Sequence, residues 1–302
     1  MAELRLLIGL PASGKTITAK QLVERNNLVQ NPERWERINW DEMRIARGLD
    51  IKKFNRLEEK EMQKASFGIA ELHLRNGRNV VIDNTNLNPN TRAKWKGVAQ
   101  RANVSYVEYP IETPLEVCIS RDAQREGNAC VGRAVIERMA LFGDLIKFPY
   151  WEKYIVVDMD GTLADCSHRR QFLSDHNLDW ASFEGPLVLE DEPRWPIINL
   201  VKMLNAGTGD GDTGYAVLIV SGRKIDRSGK NTVKWLEKYQ VPFKYIFMRQ
   251  GDDNRSDNIV KKEILDKLPK DQIEYVLDDR NQVVDMWREN GLTCLQVAPG
   301  DF

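Results

Sequence analysis

Gly9-Leu-Pro-Ala-Ser13-Gly14-Lys15-Thr16 and Asp158-Met-Asp160-Gly-Thr162 are two groups whose residue types and spacing can do chemistry on phosphate. The first fits G-x-x-x-x-G-K-[ST] throughout. Its glycines let backbone N–H groups close around phosphate oxygens, the lysine reaches the β- and γ-phosphates, and the final hydroxyl meets Mg2+. The spacing predicts a site for ATP or another nucleoside triphosphate, with Gly9, Ser13, Gly14, Lys15 and Thr16 around the donor and Thr16 on the metal. In the second group, two carboxylates one residue apart follow an apolar run and precede a glycine. One can attack phosphorus to form an aspartyl-phosphate, while the other protonates the leaving oxygen and later activates water. Asp158 is the expected nucleophile and Asp160 the acid/base.

Other residues extend each group. Asn39-Trp-Asp41-Glu-Met-Arg44 follows a short strand-like run, and Asp41 there could take the proton from an attacking hydroxyl or could cap the following helix. Arg44, three residues on, would share a helix face with Asp41 and could hold an acceptor phosphate. Arg121 and Arg125 are spaced i, i+4 on an expected helix ending at Gly127; they could close over a triphosphate as a lid, or form a solvated face of ion pairs. Val80-Val-Ile ends in Asp83-Asn84-Thr85-Asn86, which the open end of a strand would bring near the acceptor or the metal.

In the second half Ser221-Gly-Arg223, Lys261 in Asp257-Asn-Ile-Val-Lys261, and Asp278-Asp279 each lie near the end of an apolar run, in the order that aspartyl-phosphate chemistry needs. Ser221 can hold the transferring oxygens and Lys261 can neutralise the aspartyl-phosphate. Asp278 and Asp279 can complete an oxygen-rich Mg2+ site with Asp158 and the carbonyl of Asp160. The set reads as a haloacid dehalogenase-type phosphatase. His168, Arg169 and Arg170 fall in a stretch that could form a small cap, where arginines would suit a substrate bearing further phosphates.

The elements that must position these groups alternate apolar runs with charged, helix-like stretches, the pattern of parallel sheets with crossover helices. Candidate strands are residues 4–10, 79–82 and 104–109, then 154–157, 215–220, 245–248 and 274–277. At 302 residues the chain has room for two cores, and Phe148-Pro-Tyr-Trp-Glu-Lys153 places the break near residue 150, giving domains 1–150 and 151–302. Ala206 to Gly214 reads as an exposed turn; its Asp210 and Asp212 lack the further ligands of a calcium loop. The net charge of −1 excludes a strongly basic footprint over the whole chain but not a local basic groove. Four dispersed cysteines argue against a zinc site or a disulfide framework. The first apolar run is short and enters the glycine loop directly, so it reads as a strand rather than a signal peptide, and the expectation is a soluble, cytoplasmic chain without a membrane segment.

Taken together, Gly9 to Thr16, Asn39-x-Asp41-x-x-Arg44, Thr85-Asn-Leu-Asn-Pro89, Arg121 with Arg125, Asp158-x-Asp160-Gly-Thr, Arg169, Ser221-Gly-Arg223, Asp257 with Lys261, and Asp278-Asp-Arg280-x-Gln-Val-Val resemble the phage-type polynucleotide 5′-kinase/3′-phosphatases over nearly the whole chain. The ending Gln-Val-Ala-Pro-Gly-Asp-Phe302 is similar as well. The resemblance implies an α/β chain with an N-terminal P-loop kinase domain on a parallel sheet. It also implies a C-terminal haloacid dehalogenase-like (Rossmannoid) phosphatase domain with a small cap. It further implies transfer of the ATP γ-phosphate to a 5′-hydroxyl of RNA or DNA, with Asp41 as base, Arg44 and Asn86 toward the acceptor and Arg125 on the donor phosphates. In the second half it implies removal of a 3′-phosphate, with Arg169, Arg223 and Asp257 around the substrate. Mg2+ for both steps, a homotetramer and a functional link to a nucleic acid ligase follow from the same likeness, as does a host-cell cytoplasmic location. Where the family carries Ser-Asp before Thr-Asn, this chain has Asp83-Asn84, so no carboxylate role is assigned there. A kinase fused to a phosphatase of small metabolites is the alternative, and a nucleotide switch without transfer chemistry is a third reading that Asp41 and the arginine pair oppose.

Overall fold

Runs such as Tyr154-Ile-Val-Val157 and Val80-Val-Ile82 can be apolar at successive positions only where both sheet faces are covered, as in a parallel sheet between helices. The computed structural model, which describes residues 2–27, 34–49, 56–174, 177–207 and 214–300, places both runs in such sheets. Contacts divide the chain into two compact units, Met1–Val131 and Gly132–Phe302.

The first unit runs β1 (Glu3–Ile8), α1 (Lys15–Asn27), β2 (Trp35–Ile38), α2 (Trp40–Ala46), α3 (Arg56–Arg75), β3 (Asn79–Ile82), α4 (Pro89–Ala102), β4 (Ser105–Pro110) and α5 (Leu115–Ala123). Its strands are all parallel in the order β2-β3-β1-β4. Alternation divides the side chains: Leu4, Leu6, Val80 and Ile82 join one apolar cluster, whereas Leu7 and Val81 join another. β1 stops at Ile8, short of the expected Leu10, because the phosphate loop begins at Gly9. α4 starts on Pro89 behind an Asn88 cap and ends at a left-handed Asn103.

The second unit begins with α6 (Arg133–Phe142), which packs on this unit's sheet. Ala134 enters its core, and Glu137, fully buried, accepts from the backbone N–H of Ile246 at 2.6 Å. By contacts the division therefore falls at residues 131/132, and the segment around residue 150, where the sequence suggests a break, lies within the second unit. There Gln272 Nε2 donates to the carbonyls of Pro149 and Glu152.

After β5 (Tyr154–Val157) a cap is inserted, comprising β6 (Ala164–Asp165), the β7 (Leu173–Ser174) and β8 (Asn177–Leu178) hairpin, α7 (Trp180–Phe183) and β9 (Glu192–Pro193). β6 and β9 pair antiparallel at its base. The chain returns through α8 (Trp195–Ala206), β10 (Ala216–Lys224), α9 (Ile225–Lys238), β11 (Tyr245–Arg249), α10 (Asp257–Leu265), β12 (Ile273–Asp278), α11 (Asn281–Glu289) and β13 (Cys294–Gln296). The parallel order β11-β10-β5-β12-β13 puts β5 at the centre. Its Ile155 and Val157 enter one cluster, and Tyr154 and Val156 the other. Burying each such side chain is worth about 1.5–3 kcal/mol, so the strand that delivers Asp158 is anchored from both sides. β10 runs on past the expected Val220, and its register against β11 shifts between Ser221 and Lys224. Asp210 and Asp212 lie outside the described residues, as do Asp301 and Phe302.

Candidate active sites

In the first unit β1 delivers the chain into a loop that turns at Ala12 (φ 60°) and Gly14 (φ 103°) before α1 begins at Lys15. The loop closes tightly at Gly9, where a Cβ would lie 2.8 Å from Ser13 Oγ and 3.2 Å from the Ile111 carbonyl. The Lys15 ammonium curls into this loop, donating to the Leu10 carbonyl at 2.5 Å and to Ser13 Oγ at 3.3 Å. Burial pushes its pKa down to about 8 against the attraction of Asp83; Arg125 adds to the depression and Asp41 opposes it. Lys15, Arg125 and Asp41 therefore share one electrostatic neighbourhood.

Thr16 Oγ1 donates to Asp83 Oδ1 at 3.3 Å, and Asp83 Oδ2 takes Arg37 Nε at 2.8 Å. Asp83 is thus a buried carboxylate beside the hydroxyl expected to meet Mg2+, at the end of β3. The sequence places Asp83 near the acceptor or the metal without giving its carboxylate a role, although the signal is there: an acid straight after a short buried strand, as at Asp158. Asn84 instead serves the backbone, its Oδ1 accepting from the Trp40 N–H.

The cap of α2 is Asn39, whose side chain accepts from the Glu42 N–H, so the capping alternative for Asp41 falls away. Asp41 stands exposed in the first turn and pairs with Arg44 Nη1 at 2.5 Å, and Arg44 is held in turn by Glu59 at 2.6 Å. The expected shared face of Asp41 and Arg44 is present. The expected common helix of Arg121 and Arg125 is not. α5 ends at Ala123, because buried Asp122 turns its carboxylate to the Val131 N–H and draws the next loop back across the helix end. Arg125 lies beyond that end, with Nη1 3.8 Å from Asp122 Oδ1. Asn86 is buried and stitches β3 to β1, with Nδ2 donating to the Leu7 carbonyl at 2.7 Å while its Oδ1 has no partner.

In the second unit the carboxyl ends of the central strands bring Asp158, Asp278 and Asp279 together, with one oxygen of each within 4.8 Å of the others. Lys261 Nζ, from α10, donates to Asp158 Oδ1 and Asp278 Oδ2, both at 2.7 Å. Burial raises the Asp158 pKa, and Asp278 and Asp279 add to the rise against Lys261. Burial would depress Lys261, but Asp158 and Asp278 lift it well above the ordinary ammonium value. Asp278 is further occupied by Trp287 Nε1 at 3.1 Å and by the Arg280 N–H. Asp279 Oδ2 is buried with no partner, and its carboxyl is pushed up to about 6, by burial first and Asp278 second. Three buried carboxylates against one ammonium, with an orphaned oxygen among them, suit a hard divalent cation such as Mg2+. Gly161, at φ +82°, passes so close that any Cβ would collide with the Asp279 carboxylate.

Asp160 faces elsewhere. Arg223 holds it through Nε at 2.9 Å and Nη2 at 2.6 Å, and Arg169 through Nη2 at 2.8 Å. Burial would raise it, but Arg223 and then Arg169 keep this carboxyl well below the usual carboxylate range. In this arrangement Asp160 is an ionised base, and an acid role requires the guanidiniums to be drawn off it. Its side chain leaves only the backbone carbonyl for the expected metal. Ser221 is buried at the end of β10, with Oγ accepting from the Arg223 N–H. Asp257 pairs with Arg249 and Arg280, and its carboxylate lies against Gly222. Arg169 is fully buried in the cap, stacked 4.5 Å from the Phe183 ring. Asp191, the middle of three consecutive acids that no motif marks, accepts from Arg169, Arg223 and His168.

Residues 152–302 match the family model of the polynucleotide kinase PNKP phosphatase domain, and residues 4–142 match that of an AAA domain. A putative bifunctional polynucleotide kinase/RNA ligase of Autographa californica nuclear polyhedrosis virus is 27% identical over 312 residues, a match covering 95% of this chain but 41% of that protein. A chain in the structure of a Pnkp1/Rnl/Hen1 RNA repair complex is 25% identical, covering 100% of this chain and 97% of its own, with a TM-score of 0.42. The Mycobacterium tuberculosis APS kinase CysC in complex with AMPPNP and APS is 24% identical over 41% of this chain and 69% of its own, with a TM-score of 0.35.

Proposed function

The chain belongs to the family of the polynucleotide kinase PNKP phosphatase domain, and from that premise we propose that it heals broken nucleic acid ends, phosphorylating a 5′-hydroxyl from ATP and hydrolysing a 3′-phosphate. The observation that carries this reading is the convergence of Asp158, Lys261, Asp278 and Asp279 on one buried pocket of charge, in a chain that also holds the loop Gly9 to Thr16.

In the kinase reaction the loop N–H groups and Lys15 hold the donor phosphates, and Arg121 and Arg125 approach them from the far side. Asp83 orients the Thr16 hydroxyl. Asp41 accepts the proton of the attacking 5′-hydroxyl, and Arg44, steadied by Glu59, turns toward the acceptor phosphate beside it.

In the phosphatase reaction Asp158 attacks phosphorus, its new P–O bond forming as the ester P–O bond breaks. Ser221 and Lys261 hold the transferring oxygens. The substrate phosphate draws Arg169 and Arg223 from Asp160, which takes up a proton and passes it to the leaving oxygen. Water then attacks the aspartyl-phosphate and returns a proton to Asp160. Mg2+ would rest on Asp158, Asp279 and the carbonyl of Asp160, with Asp278 behind them, and would offset the charge gathered on the phosphoryl group. Asp279 has the open oxygen that Asp278 lacks.

The products, a 5′-phosphate and a 3′-hydroxyl, are the ends a nucleic acid ligase joins, and the viral relative's name couples kinase to RNA ligase. A host-cell cytoplasmic location and a homotetramer complete the reading; no helix among the described residues is long and apolar enough to cross a membrane. The test uses a 5′-hydroxyl, 3′-phosphate oligonucleotide with ATP and Mg2+. Lys15→Ala should abolish 5′ labelling and spare 3′-phosphate release, and Asp158→Asn should do the reverse. Wild-type protein that does neither overturns the proposal.

A further inference from the structure

We propose that Asp191 is a positioning residue for the phosphatase reaction, the anchor through which a cap arginine and a sheet arginine are held together so that both aim at Asp160.

Four side chains form a closed ring of alternating charge. Asp191 takes Arg169 as a two-pronged fork, Nε to Oδ1 at 2.6 Å and Nη2 to Oδ2 at 2.7 Å. The same Arg169 Nη2 reaches Asp160 Oδ1 at 2.8 Å. Arg223 grips Asp160 with its own fork, and its Nη2 returns to Asp191 Oδ2 at 2.6 Å. Arg169 belongs to the cap and Arg223 to the end of β10, so Asp191 is where cap and sheet are tied. Three of the four side chains are sealed, Arg169 and Asp191 at 0% exposure and Arg223 at 1%. Asp160 alone is open, at 25%.

The placement of Asp191 is itself over-determined. β9, which follows it directly, pairs with β6; its carbonyl accepts from Trp235 Nε1 at 2.8 Å; and His168 Nε2 adds a contact to Oδ1 at 2.9 Å. Sealing three charges behind a fourth is expensive, and buried ion pairs often lose to apolar packing of equal volume, so the ring is poorly explained by stability. It is well explained by the need for a planar guanidinium to meet its target at one angle. When Asp160 gives up the arginines to a substrate phosphate, Asp191 still holds both. Without it, the two guanidiniums have no fixed carboxylate but the reacting one.

The inference rests on the phosphatase reading of this unit and not on the nucleic acid one. A positioning effect acting through Asp160 has a property that a folding effect lacks: it must depend on the leaving group. p-Nitrophenolate departs unprotonated, whereas an alkoxide needs the proton from Asp160, a contribution of about 10²–10⁴-fold. The experiment measures kcat/KM, which reports the first transfer alone, on p-nitrophenyl phosphate, thymidine 3′-monophosphate and β-glycerophosphate with Mg2+, for full-length wild type and Asp191→Asn. The loss on the alkyl esters should exceed that on the aryl ester by about tenfold or more. Equal losses on both classes, or no loss on either, overturn the proposal. Should Asp191→Asn not fold, Trp235→Phe, which removes the bond to the Asp191 carbonyl together with part of a buried ring, must show the same bias in smaller degree, and equal losses there overturn it too. A wild type active on β-glycerophosphate but not on thymidine 3′-monophosphate counts against the nucleic acid reading and leaves the comparison intact.

Discussion

Asp279→Asn should stabilise the second unit while removing its phosphatase activity. The Asp279 carboxyl is 2% exposed, has an oxygen without a partner, and is raised from 3.8 to about 6, by burial first and by Asp278 next. Below pH 3.8 folded and unfolded states both carry the proton. Between 3.8 and about 6 the folded state keeps a proton that the unfolded state has lost, so stability falls as pH rises. Above about 6 the full penalty is present. A gap of about two pH units, at about 1.4 kcal/mol each, amounts to about 3 kcal/mol. In a unit of the size of Gly132–Phe302, each kcal/mol moves the melting temperature by about 2–4 °C, so the expected gain is about 6–12 °C. The assay is thermal melting in EDTA from pH 4 to 8. The variant should melt above wild type at pH 7.5, and the difference should shrink toward pH 4. Added Mg2+ should raise wild type and leave the variant where it is, because binding stabilises only the state that can bind. A variant that melts below wild type in EDTA at pH 7.5, or a difference that does not change with pH, refutes the reasoning.

Two further outcomes concern the kinase half. Lys15, lowered to about 8 by burial against Asp83, must be protonated to pair with phosphate, so ATP affinity should fall about tenfold per pH unit above that value, and titration calorimetry from pH 7 to 9.5 should show it. Lys15→Arg, with its far higher pKa, should bind with no such slope, and a flat wild-type profile would count against the assignment. Asp83→Asn should cost the kinase about 10²-fold or more in kcat, as loss of a preorganised charge at the metal-facing hydroxyl would, and leave 3′-phosphate release unchanged. Asn84→Ala, which loses only a contact to the Trp40 N–H, should keep kinase activity within about tenfold, and the opposite ranking would make the Asn84 amide rather than the Asp83 carboxylate the side chain that matters.

What the sequence made legible was whatever chemistry lies in consecutive residues or at a strand's end. Lys15 and Thr16 are placed by a loop whose geometry glycine spacing encodes, and Asp158 follows a strand whose unbroken burial is written in Tyr-Ile-Val-Val. Helix ends were less legible. The end of α5 depends on where the Asp122 carboxylate finds a partner, and that partner is the Val131 N–H nine residues on. The packing of α6 was illegible for a similar reason: it reads as the last helix of the first half, and its Glu137 holds the N–H of Ile246, 109 residues away.

Asp191 marks the limit of such reading most sharply. It lies 22 residues after Arg169 and 32 before Arg223, in a run of acids that reads as solvated surface, yet its carboxylate has no exposure at all. Nothing local distinguishes it from Glu190 or Glu192. The pairing of β6 with β9 directly after it, the bond from Trp235 Nε1 to its carbonyl and the contact from His168 turn this one acid of the three inward, where the cap returns to the sheet. A carboxylate whose role is to hold other catalytic groups has no chemistry of its own to constrain its neighbours in sequence. It becomes visible when the charges it balances are found together, two arginines that would otherwise both rest on Asp160.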